Sequence, residues 1–382
     1  MLEATRHLGS AMVPLRPALL MLALAPACVF AAPADPAACL DAKFEAMSLH
    51  LETAGGVSVA IVPMDAGWRW HAARGTADAA TGEALTPAHG FRIASNTKTY
   101  TAAAVLRLAE LGKLRLDDGI ARYLPPAFSA MLAHGGYEPD RITVRQLLTH
   151  TSGLREHVDE AFLRRHGEPG APETTPSGQL AMAMQKGPPL APPGAEFHYS
   201  DTGYVLLGTM VERLAGQPLP AALRTLQRWD AHGLSHTWFE LHEPARGPQA
   251  HQTWGGIDTR GWHPSFDLYG GGGIVATPAD MAGFTRVLLR GELFDSPTSL
   301  RTMATPGVQA AWNDYGAGLF ELPVDDETMT GHSGFWNTFS FLSGPDGVVI
   351  AGAVVEKTAL PYATLLGELR AAYRACVAAR VD

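Results

Sequence analysis

The β-type runs of this chain lie at its two ends with helical runs between them, and that division limits the fold more than composition does. Residues 57–64 and 68–74 are β-type runs around the Asp65-Ala66-Gly67 turn and read as a hairpin. Residues 316–322, 338–343 and 348–356 carry the same signal near the other end, bounded by turns such as Gly344-Pro345-Asp346-Gly347. Helical patterns fill the centre at 99–111, 143–148, 179–185, 202–215 and 278–289, and two more, 36–51 and 360–379, flank the strand runs. One sheet assembled from both ends, with a helical part inserted, satisfies this order. The expected class is α+β, with residues 37–95 plus 312–382 as an α/β sandwich domain and residues 96–311 as a mainly helical domain.

At the junction stands Ser95-Asn96-Thr97-Lys98, where a β-like stretch ending at Ile93 and Ala94 runs into the first central helix. An (i, i+3) spacing at a helix start sets the Lys98 amine one turn above the Ser95 hydroxyl. A base then meets a nucleophile without help from another segment, which is the layout of Ser-Lys acyl transfer. The same four residues also read as a plain helix cap, with Ser95 accepting from first-turn amides and Lys98 in solvent. Context has to choose between the two.

A formal net charge of −9 and the lack of any basic run argue against nucleic acid or anionic lipid as partner and favour a small-molecule or peptide substrate. Arg6 and Arg16 precede an apolar run at 18–31, and Val29-Phe30-Ala31 is an acceptable cleavage site, so residues 1–31 read as a signal peptide. The product is expected to be periplasmic or secreted. That run is too short to cross a bilayer comfortably, so no stable membrane span is expected, while Ala25-Pro26-Ala27-Cys28 leaves a lipid anchor at Cys28 open. Cys39 and Cys376 remain, in a compartment that permits disulfides. They bridge if the terminal helices pack side by side and otherwise stay as buried thiols.

Tyr199-Ser200-Asp201 places a phenol just before a helix. His332-Ser333-Gly334 supplies a titratable ring, a hydroxyl and a residue without a side chain where a substrate strand can approach closely. In the order Ser-x-x-Lys, Tyr-Ser-Asp, His-Ser-Gly, and with Ile142-Thr143-Val144-Arg145-Gln146-Leu147-Leu148-Thr149-His150-Thr151-Ser152-Gly153-Leu154, the chain resembles the penicillin-recognising serine hydrolases. Their closest branch holds class C β-lactamases, soluble D-Ala-D-Ala carboxypeptidases, D-aminopeptidases and related esterases. The resemblance runs from about Leu40 to the C-terminus.

It implies a β-lactamase/transpeptidase-like fold, with a mostly antiparallel sheet flanked by helices, an all-α insertion and an active site between the two parts. Ser95 would be the nucleophile and Lys98 its base, with the lysine charge disfavoured by burial and nearby positive groups. Tyr199 would carry a proton to the leaving group, and the backbone amides of Ser95 and Phe335 would form the oxyanion hole. His332, where many relatives carry lysine, would face a substrate carboxylate or orient Tyr199; Ser333 would bind the same carboxylate, beside Gly334 and a cleft-lining Trp336. Asp201 departs from the asparagine of many relatives. Ionised, it only accepts, favours a charged Lys98 and weakens the β-lactamase reading; it shifts the base role toward Tyr199 or fits a substrate presenting a donor such as a free amine.

Gly270 to Gly273 lacks the Gly-Lys-Ser/Thr of a phosphate loop and reads as a turn bordering the cleft, ahead of a helix capped by Thr277 and begun by Pro278. Among His232, His236, His242, His251 and His263 only His232 and His236 stand four apart, and Gly233-Leu234 between them disfavours a helix there, with no acidic partner, so no metal or cofactor is expected. The expectation is an exported serine hydrolase acylated at Ser95, first a D-amino-acid peptidase or D-alanyl-D-alanine carboxypeptidase-like enzyme. An esterase, a class C-like β-lactamase and a catalytically silent penicillin-binding-type sensor are the alternatives.

Overall fold

Strand β1 (Gly56–Pro63) is buried along its whole length, and apolar except at Ser58, because both of its faces are covered. Val57, Val59 and Ile61 join one buried cluster and Ala60 and Val62 the opposite one, the two-residue period of a pleated strand. The computed structural model describes residues 35–47, 51, 54–168, 170–309 and 314–378. The expected signal peptide, Cys28 and Trp312 lie outside them.

β1 pairs antiparallel with β2 (Trp70–Asp78) on one side. On the other side it takes not its sequence neighbour but the last strand of the chain. From the C-terminal part come β3 (Phe320–Val324), β4 (Glu327–Gly334), β5 (Thr338–Ser343) and β6 (Val348–Val354). The nine-stranded sheet runs Glu83–Ala84, β2, β1, β6, β5, β4, β3, Asp314–Tyr315, Val308–Gln309, antiparallel throughout. A large antiparallel sheet built from both ends of the chain is therefore present, as the split strand pattern required.

The terminal helices α1 (Pro36–Ala46) and α5 (Tyr362–Ala378) cover one face of the sheet. Leu40 and Phe44 of α1 and Leu365, Leu366 and Leu369 of α5 meet Val59, Ile61, Val348 and Ile350. Their packing brings Cys39 and Cys376 to a Cα separation of 5.7 Å, where they form a disulfide.

The other face carries the helical centre. α2 (Thr97–Glu110) is buried from Thr97 through Leu106, and α3 (Asp201–Ala215) packs against it. Ser200 caps α3 by accepting from the Gly203 amide at 3.2 Å, and Gly216 ends it at φ 70°. α4 (Pro278–Leu289), which the sequence places in the helical part, lies on β1, β5 and β6. Its Met281, Ala282 and Phe284 share a core with Ala60, Val62, Val349 and Ala351. The β-type run at 316–322 forms a strand only from Phe320, because Gly316 and Gly318 pass too close to other backbone: a Cβ at Gly318 would sit 2.6 Å from the Lys98 carbonyl oxygen. Among the described residues no helix is long and apolar enough to cross a membrane.

Candidate active site

Ser95 sits in a short 3-10 turn, Ala94–Asn96, that leads directly into α2. The helix starts two residues earlier than its pattern predicts. Ala94 takes a left-handed φ of 47°, costly for a residue with a Cβ, and the turn is pinned from several sides. Asn96 Nδ2 donates to the Ile93 oxygen at 2.9 Å and to Thr338 Oγ1 at 3.0 Å, and Thr338 Oγ1 donates to Ile93 at 3.0 Å. The end of β4 crosses this turn so tightly that a Cβ on Gly334 would lie 2.2 Å from the Ile93 oxygen. Glycine is needed there for the approach itself.

Lys98 is fully buried, and its Nζ donates to Ser95 Oγ at 2.9 Å and to the Gly271 oxygen at 3.1 Å. The same amine forms an ion pair with Asp201 Oδ1. Burial alone would lower the amine pKa, but the Asp201 carboxylate and then Tyr199 outweigh it and hold Lys98 above its ordinary value. The expectation of a lysine surrounded by positive groups is thereby corrected: its nearest charged neighbour is an anion. Lys98 and Ser95 both stabilise the ionised form of the Tyr199 hydroxyl, and the Lys98 amine lies 4.8 Å from the centre of its ring. Burial pushes the phenol up, against the pull of Lys98, to about 12.

The motif around His150 positions Tyr199 and Asp201. His150 adopts a φ of 55°, its carbonyl accepts from His198 N at 2.8 Å and its Nδ1 from Ser200 N at 3.0 Å. Its ring stacks against Tyr199 with centres 4.2 Å apart. Glu156 accepts from the Asp201 amide and, at 2.8 Å, from Val158 N. Burial and then the Asp201 charge raise its carboxyl to about 8.

Two expected substrate contacts lie elsewhere. His332 is buried, with Nε2 3.0 Å from the Tyr315 hydroxyl and Nδ1 2.6 Å from the Ser333 oxygen. Burial and Lys98 depress its pKa to about 3, so it is neutral and cannot serve as a cation for a carboxylate. Trp336 is wholly buried among Ala94, Phe162, Trp262 and Phe266 and supports the floor of the site instead of lining it. Ser333 is half-buried on the same strand end.

Ser95, Asp201 and Phe335 do meet in one small cleft of about 50 Å³, open to solvent. Asp267, Gln179, His157, Gly271 and Gly272 line it too, and sequence reasoning singled out none of them except as part of the glycine run. Glu156 and His157 stand just past the Ile142-to-Leu154 stretch, but Asp267 and Gln179 carry no motif. Among the described residues no group of three or more His, Cys, Asp or Glu is placed to hold a metal ion.

The Beta-lactamase family model matches residues 46–372, and the chain belongs to that family, whose members are serine hydrolases of the β-lactamase/transpeptidase-like fold. PbpX of Bacillus subtilis (strain 168), which carries a penicillin-binding-protein name, is 26% identical over 276 residues, 72% of this chain and 64% of the relative. Esterase EstB of Burkholderia gladioli is 34% identical over 218 residues, 56% of this chain and 54% of the relative. The chain thus spans between about half and two thirds of the length of these curated relatives. The crystal structure of D-amino acid amidase from Ochrobactrum anthropi SV3 complexed with L-phenylalanine amide shares the fold, with a TM-score of 0.74 and 21% identity over 91% of this chain and all of that one.

Proposed function

We propose that the protein is an exported hydrolase that forms an acyl-enzyme on Ser95 and cleaves amides of D-amino acids or short D-peptides. The observation that carries this reading is the Lys98 amine, 2.9 Å from Ser95 Oγ and ion-paired with Asp201. Export rests on residues 1–31 alone. The D-configuration is carried over from the resemblance.

The protons balance along one line. As Ser95 Oγ attacks the carbonyl carbon, its proton passes to Lys98 while Lys98 gives one to Asp201, so the ammonium is regenerated beside the forming oxyanion. The Ser95 and Phe335 amides hold that oxyanion. Tyr199 then gives its proton to the leaving group and regains one from Asp201 through Lys98. Water repeats the sequence on the acyl-enzyme.

The charges around the cleft favour an amidase or aminopeptidase over a carboxypeptidase or β-lactamase. Recognition of a substrate carboxylate needs a cation, yet His332 is neutral and Lys98 already serves Asp201. A second reading, an esterase for small acyl esters, is favoured by the apolar cleft wall of Val158, Phe162, Leu163, Phe266 and Leu268. Purified protein treated with a fluorophosphonate and with a fluorescent penicillin, followed by mass spectrometry, tests the proposal. Fluorophosphonate on Ser95 is expected; a protein that neither probe labels would be the silent sensor, and rapid loss of penicillin would restore the β-lactamase reading.

A further inference from the structure

We propose that Asp267 and Gln179 form a subsite that binds the ammonium group of the substrate, resting on the hydrolase reading above. Asp267 closes the short 3-10 turn Pro264–Asp267 and borders the same cleft as Ser95. Among the described residues no protein group donates a hydrogen bond to its carboxylate. Gly272 lies directly against that carboxylate, since a Cβ there would come within 2.3 Å of Asp267 Oδ1 and 2.2 Å of its carbonyl oxygen.

Gln179 is an independent pointer to a ligand. It is 1% exposed, it lines the cleft, and its Oε1 has no hydrogen-bond partner. Its Nε2 reaches only the Leu268 oxygen, at 3.5 Å. A buried acceptor left unmade is costly, and one such acceptor beside a carboxylate that receives no hydrogen bond calls for a donor. The cations that could have answered are engaged: Lys98 with Asp201, and Arg92 with Glu240 through bonds of 2.8 and 3.0 Å. His157 is no donor of charge, because burial lowers its ring to about 4.

The complement of one anionic and one neutral acceptor in an apolar setting is a group with several donors, no acceptor and a positive charge. A primary ammonium on an apolar body fits, as in an amino-acid amide or ester or the free N-terminus of a short peptide. A substrate carboxylate at the same place would face Asp267 and Asp201 and be repelled. The subsite also gives the departure at position 201 a context, since both aspartates lie on the side of the cleft where the amine would sit, and a bound ammonium would favour the ionised form of Asp267 that burial disfavours.

The test compares kcat/KM for the p-nitroanilide and p-nitrophenyl ester of D- and L-phenylalanine with the N-acetylated counterparts. p-Nitrophenyl butyrate and fluorophosphonate labelling of Ser95 run alongside. Wild type is expected to prefer the free amine by about tenfold to a hundredfold. Asp267→Asn should bring that ratio down toward one, and Gln179→Leu should lower it by a smaller factor. Equal rates for free and acetylated substrates in wild type, or a ratio that neither variant moves while Ser95 is still labelled, overturns the subsite. Should Asp267→Asn not fold, the wild-type ratio and Gln179→Leu decide. A wild type that turns over neither butyrate nor any phenylalanine derivative, and is not labelled at Ser95, overturns the hydrolase reading and the subsite with it.

Discussion

The Lys98 ammonium stands between Ser95 Oγ and the Asp201 carboxylate, so the amine that faces the nucleophile is held by a counter-ion from the start of another helix. One link is an (i, i+3) neighbour and the other comes from a hundred residues downstream. The helix start at Ser200 and the cradle around His150 fix the second link.

Replacing Lys98 by Ala removes the only side-chain amine beside Ser95. Acylation is expected to fall by roughly 10³ or more, read as the burst with a p-nitrophenyl ester. A variant acylated at the wild-type rate would rule the lysine out of the proton path.

For Asp201→Asn, the loss of the carboxylate lets burial lower the Lys98 pKa. The pH profile of kcat/KM for an ester without an amine is expected to gain an acid limb that wild type lacks. Turnover of nitrocefin should also rise, because an amide can donate to a substrate acyl carbonyl where a carboxylate cannot. An unchanged profile with no gain on nitrocefin counts against the ion pair as the determinant.

Burial and the Asp201 charge raise two carboxyls, Asp267 to about 7 and Glu156 to about 8. Unfolded, both would ionise near their ordinary values of 3.8 and 4.5. Across the interval between, these two groups bind more protons in the folded state than in the unfolded chain, so their contribution to stability is greatest below the unfolded values and declines as pH rises through the folded ones. The buried neutral histidines His157 and His332 act in the opposite sense, adding stability as pH rises to their ordinary value of 6.5, so the melting temperature should fall between about pH 6.5 and pH 8, and Glu156→Gln should flatten part of that slope. A wild-type melting temperature that rises over this range would contradict the assignment.

The Cys39–Cys376 bridge closes a loop that encloses nearly the whole described fold. Under the loop-entropy account a loop of this length is worth about 5–6 kcal/mol, so the double Cys→Ser variant is expected to show a clearly lower denaturant midpoint, with a steeper slope because its unfolded chain is no longer held compact. Activity at low temperature should survive, since the bridge lies on the face of the sheet opposite the cleft helices.

Much of this was legible in the chain alone because strands and helices differ in period. β5 and α4 occur at the ranges their patterns predicted, and Ser95, Lys98, Tyr199 and Asp201 converge because each lies within about one turn of a helix start. What stayed hidden depends on packing. His332 looks like any strand histidine until Tyr315 and the Ser333 carbonyl are seen around it. Trp336 follows a glycine motif, but only the third dimension shows Phe266 and Trp262 enclosing it. Asp267 is one acid among 38 acidic residues, and nothing in its sequence neighbourhood marks it as unpaired.

β1 finds its partner β6 almost three hundred residues later, and that distance has a kinetic price: the N-terminal hairpin must wait with one apolar edge open until the end of the chain arrives. The Ser95 turn leans on β4 and β5, so the reactive hydroxyl cannot be set before late synthesis is complete. Truncation of the final strand should therefore leave a sticky, inert polypeptide, never a weakened enzyme.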